Sequence, residues 1–396
     1  MWLLAGTGSA VILSYVSVTL SARLLGPANF GLLGALVSIA SVATVVLSPL
    51  YTMAAHIAAV ALVRQDVHAV RGLTAPTLVG TGALALLILA ALLVWAEPIN
   101  AFFHVSGSGT VALLAPLLAG LACIQVLKGF LAGLQRFRAF AAATALEALV
   151  RAALTGPLVL VFGVFGAVTS YLGGVVAADA WALGCLGKVG WRLPAWEQVP
   201  GPGWTAAGTA LVTLVVAVLQ YGDLVLLRWY ASAEEVGMYA ATGALGNTLF
   251  TLAVPLTLPA FPRALLAHQA GQPTWPILRR ALAPVAVGGL VATFAAAWLG
   301  LSVASYVFGS PFQGVGPLLP PYLAKTTALI ALALLGQHAV AVGRMGALGS
   351  GAALALAAPV VLTALHAQPY MAAMISFGIA TGAATLVGVL LATPRG

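Results

Sequence analysis

Apolar runs recur along the whole chain, each about the 20 residues a helix needs to cross a bilayer, and short breaks holding most of the Arg, Lys and Pro separate them. They lie at about 2–20, 31–62, 73–96, 110–132, 139–160, 165–187, 204–227, 237–261, 281–306, 321–343, 347–366 and 371–392, which predicts twelve transmembrane helices. The second run is longer than a bilayer requires and is interrupted at Ser48-Pro49. A kink or tilt is expected there because proline cannot donate the helical hydrogen bond. The eighth run, with Pro255 and Pro259, is expected to behave alike. Met1 to Leu20 is apolar from its first residue, with no basic n-region and no A-x-A site, and reads as a first span instead of a removable signal.

The breaks give an orientation. With the N-terminus inside, Arg64, Arg71, Arg136, Arg138, Lys188, Arg192, Arg263, Arg279, Arg280, Arg344 and Arg395 all fall on the inner side, and the outer breaks hold only Arg23 and Arg228. This asymmetry follows the positive-inside rule, fits an even helix count and predicts a multi-pass protein of the cytoplasmic membrane with both termini in the cytoplasm. The two halves also echo each other. Arg23 precedes a Gly-Pro break and Phe30-Gly31-Leu32, with Pro49 eighteen residues after Gly31. Arg228 precedes an acidic break and Val236-Gly237-Met238, with Pro255 eighteen residues after Gly237. These segments hold equivalent places, helices one to two and seven to eight, so a parallel six-plus-six repeat is predicted. Residues 1–190 form one six-helix lobe, residues 204–396 the other, and the Pro-containing break 191–203 a cytoplasmic linker.

Composition narrows the class. Of 396 residues 62% are apolar and only 6% charged, against roughly 25% charged in an average soluble domain, so no water-facing domain can be built. Nucleotide hydrolysis, large-substrate hydrolysis and nucleic-acid reading have nowhere to sit, and no GxxxxGK[ST] phosphate loop is present. The net charge of +8 follows membrane topology and is no nucleic-acid signal. Cys123 and Cys185 fall inside apolar runs and read as small packing residues, supporting neither a disulfide nor a metal framework.

Several segments resemble one family. Ser21-Ala-Arg-Leu-Leu-Gly-Pro-Ala-Asn-Phe-Gly31 before an apolar helix is similar to the opening signature of the polysaccharide-biosynthesis flippases (Wzx type), within the superfamily that includes lipid II flippases and multidrug and toxin extruders. Gly133-Leu-Gln-Arg-Phe-Arg138 with Glu147 and Arg151, then Asp223-Leu-Val-Leu-Leu-Arg228 with Glu235-Val-Gly-Met-Tyr239, continue the resemblance over residues about 10–260. In one departure, the family usually carries a short charged or amphipathic segment before its first helix, whereas Met1-Trp2 here leads straight into the span. The resemblance implies an all-α polytopic fold with two six-helix lobes around a central cavity that opens alternately to each side. It also implies a polyprenyl-diphosphate-linked oligosaccharide as cargo, membrane lipids as surroundings, and polysaccharide polymerases or glycosyltransferases as partners.

Charges within the bilayer cost at least about 2.5–3.5 kcal/mol each on insertion scales and usually face a bundle interior or a watery cavity. Glu147 and Arg151 stand four apart on the fifth helix, a spacing that lets them pair on one face. Counted from Arg138 at 1.5 Å per residue, Glu147 lies about 13 Å deep and Arg151 about 20 Å deep. Asp179, counted from Lys188, lies at about 13 Å and could face the same pair. Functionally, Arg151 offers a planar fork for a diphosphate, Glu147 orients it in the unloaded state, and Asp179 serves proton or sodium coupling. Structurally, the three form an ion-pair network between helices five and six. Asp223 and Arg228 near the outer end of helix seven, with Gln220 a turn before, read either as a gate or cation ligand or as an interfacial anchor. Lys128 and Lys325 fit snorkelling, and Lys128 is also a candidate diphosphate contact. Arg23, the repeat counterpart of Arg228, is a further candidate, since a basic residue at the outer end of each lobe could hold or release a diphosphate.

One other transporter and two other classes compete. A multidrug cation antiporter of the same fold is expected to show an acidic cluster in its first lobe, and the first two helices here hold no acid. A membrane-embedded enzyme acting on lipid-linked sugars usually needs a large outer loop with acids and arginines. The longest outer break, about Glu97 to Thr110, carries one acid and no arginine. A nonconducting assembly subunit is the third. No cofactor is expected.

Overall fold

The computed structural model describes residues 2–63, 70, 72–104, 109–187, 204–257, 260–366 and 368–392, and among them every regular element is a helix. A bilayer offers no water to backbone N–H and C=O groups, so runs this apolar must close their hydrogen bonds within a helix. The first half comprises α1 (Trp2–Val46), α2 (Ser48–Val63), α3 (Thr74–Val94), α4 (Ala96–Phe103), α5 (Gly109–Ala112), α6 (Leu114–Gly133) and α7 (Phe137–Leu186). The second comprises α8 (Trp204–Tyr230), α9 (Ala233–Thr257), α10 (Ala260–Gln269), α11 (Trp275–Phe308), α12 (Val315–Ala341), α13 (Met345–Leu365) and α14 (Pro369–Ala392).

Nine stretches among the described residues are long and apolar enough to cross a membrane, and two of them, of 56 and 50 residues, are double length. Counting each of those as two, and adding the 25-residue α9, gives the twelve crossings expected from hydropathy. Glycine makes both long stretches divisible. In α1 the break is at Gly26 (φ 69°, ψ 173°), directly before Pro27. In α7 it is at Gly163 (φ 57°, ψ −130°), where L-residues with a Cβ are strained. The chain doubles back there: a Cβ on Gly166 would lie 1.9 Å from the Leu158 carbonyl oxygen, and one on Gly174 would lie 2.5 Å from that of Glu147. The expected interruption at Ser48-Pro49 is present as a single non-helical residue, Leu47, before α2. α9 continues through Pro255, while Pro259, the break 188–203 with its Lys188 and Arg192, and Arg64, Arg71 and Arg395 lie outside the described residues.

The chain forms two compact units, one of Met1–Leu25 with Ala43–Gly201 and the other of Gly26–Val42 with Pro202–Gly396. In the first, α2 and α6 approach closely because Gly129 and Gly133, four apart, present bare backbone to Ala54 and Ala58, also four apart. A Cβ on Gly133 would sit 2.2 Å from the Ala55 carbonyl oxygen, the close approach that small-xxx-small pairs permit in membranes. In the second unit, α12 is the central helix, buried along most of its length against α11, α14, α9 and α8. The segment 26–42 packs on α9, where Gly31 and Gly237, the matched glycines of the repeat, meet backbone to backbone and Phe30 packs on Phe308 and Phe312. Large apolar side chains such as Trp298 and Phe294 on α11 point outward, as a lipid-facing surface requires. Cys123 and Cys185 are both free thiols.

Candidate functional site

Charged side chains gather in each unit. In the first, α6 supplies Lys128, the outgoing half of α7 supplies Glu147 and Arg151, and its returning half supplies Tyr171 and Asp179. The reversal at Gly163 and the bare face of Gly174 let the returning half lie directly on the Glu147–Arg151 turn.

Lys128 Nζ meets Glu147 Oε2 at 2.9 Å, with both side chains largely but not wholly buried, at 13% and 22% exposure. The expected pairing of Glu147 with Arg151 is therefore not the one formed. Glu147 turns to a lysine on another helix, while Arg151 donates to Ser14 Oγ on α1 and stacks its guanidinium over the Tyr171 ring, 4.7 Å from the centroid. The physical reason is that an aromatic face and a guanidinium plane make a good contact at this separation, and Lys128 is left to neutralise the carboxylate. Arg151 Nε has no hydrogen-bond partner among the described residues, so the guanidinium keeps donor capacity. Asp179 lies beside Cys123 and Gly120, near enough for the charges of Glu147 and Lys128 to act on it, and its Oδ1 is buried with no partner among the described residues. Above this cluster, Ser17, Thr155 and Ser170 link three helical segments through hydroxyls at 2.7 and 3.2 Å.

In the second unit the cluster is fully enclosed. Lys325 on α12 is paired with Asp223 Oδ2 on α8, and the Tyr239 hydroxyl on α9 donates to the same oxygen. Asp223 Oδ1 accepts the Leu224 amide at 2.8 Å. The ammonium sits 4.3 Å from the Tyr322 ring centroid and 5.7 Å from that of Tyr239. Snorkelling of Lys325 is thus overturned: its side chain is 0% exposed and its charge is met inside the bundle. Gln220, expected to share a site with Asp223, instead donates to Asn247 Oδ1 at 2.5 Å. Arg228 is buried and Arg23 is exposed, so the two repeat-related arginines occupy different environments.

Sequence reasoning missed Ser14, Tyr171, Tyr239 and Tyr322. A signal existed for the last, since Tyr322 and Lys325 are three apart and share a helix face. The other three reach their partners across helices, which spacing does not disclose.

Residues 1–265 match the family described as "Polysaccharide biosynthesis protein". An uncharacterized protein of Mycobacterium tuberculosis is 30% identical over 240 residues, covering 59% of this chain, and the chain spans about half, 54%, of that relative. Among solved structures, the inward-facing conformation of a multidrug resistance MATE family transporter of the MOP superfamily superimposes with a TM-score of 0.75 at 12% identity, covering 96% of this chain and 92% of that one. The lipid II flippase MurJ, in an inward closed conformation, superimposes with a TM-score of 0.73 at 11% identity, covering 99% and 87%. These likenesses establish a shared twelve-helix, two-lobe transporter fold.

Proposed function

Since this chain belongs to the polysaccharide biosynthesis protein family, we propose that it is a flippase carrying a polyprenyl-diphosphate-linked oligosaccharide from the cytoplasmic to the outer leaflet by alternating access. The observation that supports this reading is Arg151. It is a guanidinium deep in an apolar bundle, held by one hydroxyl and one aromatic ring, with its Nε unspent and a second cation, Lys128, in the same cluster. A planar fork with spare donors suits a diphosphate, whose oxygens accept paired hydrogen bonds. A carboxylate already neutralised by Lys128 leaves Arg151 free of a competing anion. Asp179, with one oxygen unpartnered among the described residues, is the residue we assign to proton or sodium coupling in this unit. The membrane lipids are its solvent, and the enzymes that build or polymerise the glycan are its partners in the pathway of cell-surface polysaccharide export. We place it in the cytoplasmic membrane with both termini inside, following the distribution of its basic residues.

The test is translocation of a fluorescent polyprenyl-diphosphate sugar in proteoliposomes, with and without an imposed proton or sodium gradient. Wild-type protein is expected to flip the lipid, Arg151→Ala to lose most of that activity and Arg151→Lys to recover only part of it. Vesicles that match protein-free controls while exporting a cationic dye would replace this reading with the multidrug antiporter. Chemical turnover of the lipid-linked sugar would replace it with the enzyme.

A further inference from the structure

We propose that Asp223 is the carboxylate of a monovalent-cation site that the chain fills with its own ammonium, Lys325, so that this unit carries its cation permanently and takes none from solution.

The surroundings of Asp223 are those of a small-cation cage. One oxygen faces the ammonium and the Tyr239 hydroxyl, and the other is held by the Leu224 amide at 2.8 Å. Two tyrosine rings, 5.3 Å apart and inclined at 70°, turn their faces toward the charge. Aromatic faces hold desolvated ammonium and alkylammonium groups by the quadrupole of the ring, and the Asp223 and Tyr239 oxygens are ligands that a sodium ion would also take. Tyr322 reaches this position over the bare backbones of Gly243 and Gly246, where a Cβ would lie 3.1 Å from its hydroxyl and 2.5 Å from its ring. Three helices, α8, α9 and α12, therefore converge on one charge with nothing exposed: Asp223, Tyr239, Tyr322 and Lys325 are all buried.

From sequence, Asp223 reads either as a gate or cation ligand or as part of an interfacial anchor, both open to the outside. The enclosed ammonium changes that. Lys325 is tethered and pre-ordered, so it binds without the translational entropy that a free ion must surrender, and it has no hydration shell to be stripped on each cycle. Sodium arriving from solution would have to displace a covalently attached competitor. Any coupling ion must then act on groups elsewhere, and this inference stands or falls independently of the cargo, because it is read on purified protein without transport.

The experiment is thermal unfolding in detergent, comparing sodium chloride, propylammonium chloride and choline chloride at equal ionic strength. The wild-type midpoint is expected to be the same in sodium and choline. Lys325→Ala should unfold several degrees lower and regain stability saturably with sodium or propylammonium, as a ligand binding only the folded state does. Adding Asp223→Asn to Lys325→Ala should abolish that response, and Arg136→Ala, weakened elsewhere, should not show it. A saturable rise of the wild-type midpoint with sodium that Asp223→Asn removes would overturn the proposal. So would a Lys325→Ala protein that neither small cation stabilises, that cannot be purified even with propylammonium throughout, or whose recovery is matched by Arg136→Ala.

Discussion

Replacing Lys128 by Met and Glu147 by Gln, singly and together, measures which partner Glu147 has chosen. The pair is a 2.9 Å contact between side chains 13% and 22% exposed. A fully exposed pair contributes about 0.2–1 kcal/mol, and breaking a fully buried one costs about 3–5 kcal/mol. Discounting for the exposure that remains, the coupling energy between Lys128 and Glu147 should be about 1–2 kcal/mol, a factor of roughly 5–30 in the unfolding equilibrium. The corresponding cycle between Glu147 and Arg151 should be additive to within about 0.5 kcal/mol, since Arg151 spends its contacts on Ser14 and Tyr171.

Both cycles are read by denaturant titration in detergent, following helix content. The reasoning fails if Glu147 and Arg151 prove coupled by 1–2 kcal/mol or so while Lys128 and Glu147 behave independently. That outcome would restore the four-apart pair and would also remove the free guanidinium on which the diphosphate assignment depends. A second readout separates stability from function. Glu147→Gln should leave lipid-diphosphate binding in place, because the carboxylate does not hold Arg151, whereas Arg151→Ala should lose it with the fold retained.

Gly163→Ala should cost about 1–3 kcal/mol and lower the yield of folded protein, because φ 57° with ψ −130° is open to glycine alone; size-exclusion profiles in detergent check it. Gly133→Val should abolish folding by driving a side chain into the Ala55 carbonyl, while Gly80→Ala, with nothing within 4 Å, should be silent in the same assay. Asp223→Leu or Lys325→Met alone should destabilise by about 3–5 kcal/mol, and the double substitution should recover much of it in denaturant titration, since both buried charges leave together. Arg136→Met should lower the thermal midpoint modestly, by the loss of about 1 kcal/mol of helix-end interaction, because its guanidinium donates to the Cys185 carbonyl at the end of α7 at 2.5 Å.

Membrane helices are legible because lipid leaves a long apolar stretch no alternative to a helix, and the breaks at Gly26-Pro27, Ser48-Pro49 and around Gly163 fell where glycine and proline interrupt the runs. Depth brought Asp179 to the level of Glu147, but spacing along one helix named the wrong partner for the Glu147 carboxylate. Depth along an axis placed Lys325 near an interface, yet depth does not say which face a side chain takes, and its carboxylate lies 102 residues away. The same gap hid Lys128 from Glu147, which sequence spacing assigned to Arg151 on local grounds. Glycines 129 and 133 carried a readable small-residue spacing for close packing, but nothing local names α2 as the helix they meet.

The repeat is strongest where the chain turns and is not kept at the two buried charge clusters. After α6 the chain leaves through Gln135 at φ 57°, with the Arg136 amide bonded five residues back to Leu131; after α12 it leaves through Gly343 at φ 69°, with the Arg344 amide bonded five back to Ala339. Each arginine then donates to the closing carbonyls of its own unit's last helix, Arg136 to Cys185 and Arg344 to Leu390 and Leu391. Counting by the interval that relates those two turns, Lys128, Glu147 and Arg151 fall on Gly336, Ala355 and Pro359. In the other direction, counting by the interval between Gly31 and Gly237, Asp223 falls on Ser17 and Tyr239 on Leu33. Turn geometry is thus duplicated while, among the described residues, each charged cluster exists once, partly accessible in the first unit and sealed in the second. Groups needed only to hold a six-helix lobe together would be expected in both, as the two arginine clamps are. Charges confined to one unit answer to different demands, and that division supports assigning cargo to the open cluster and a resident cation to the closed one.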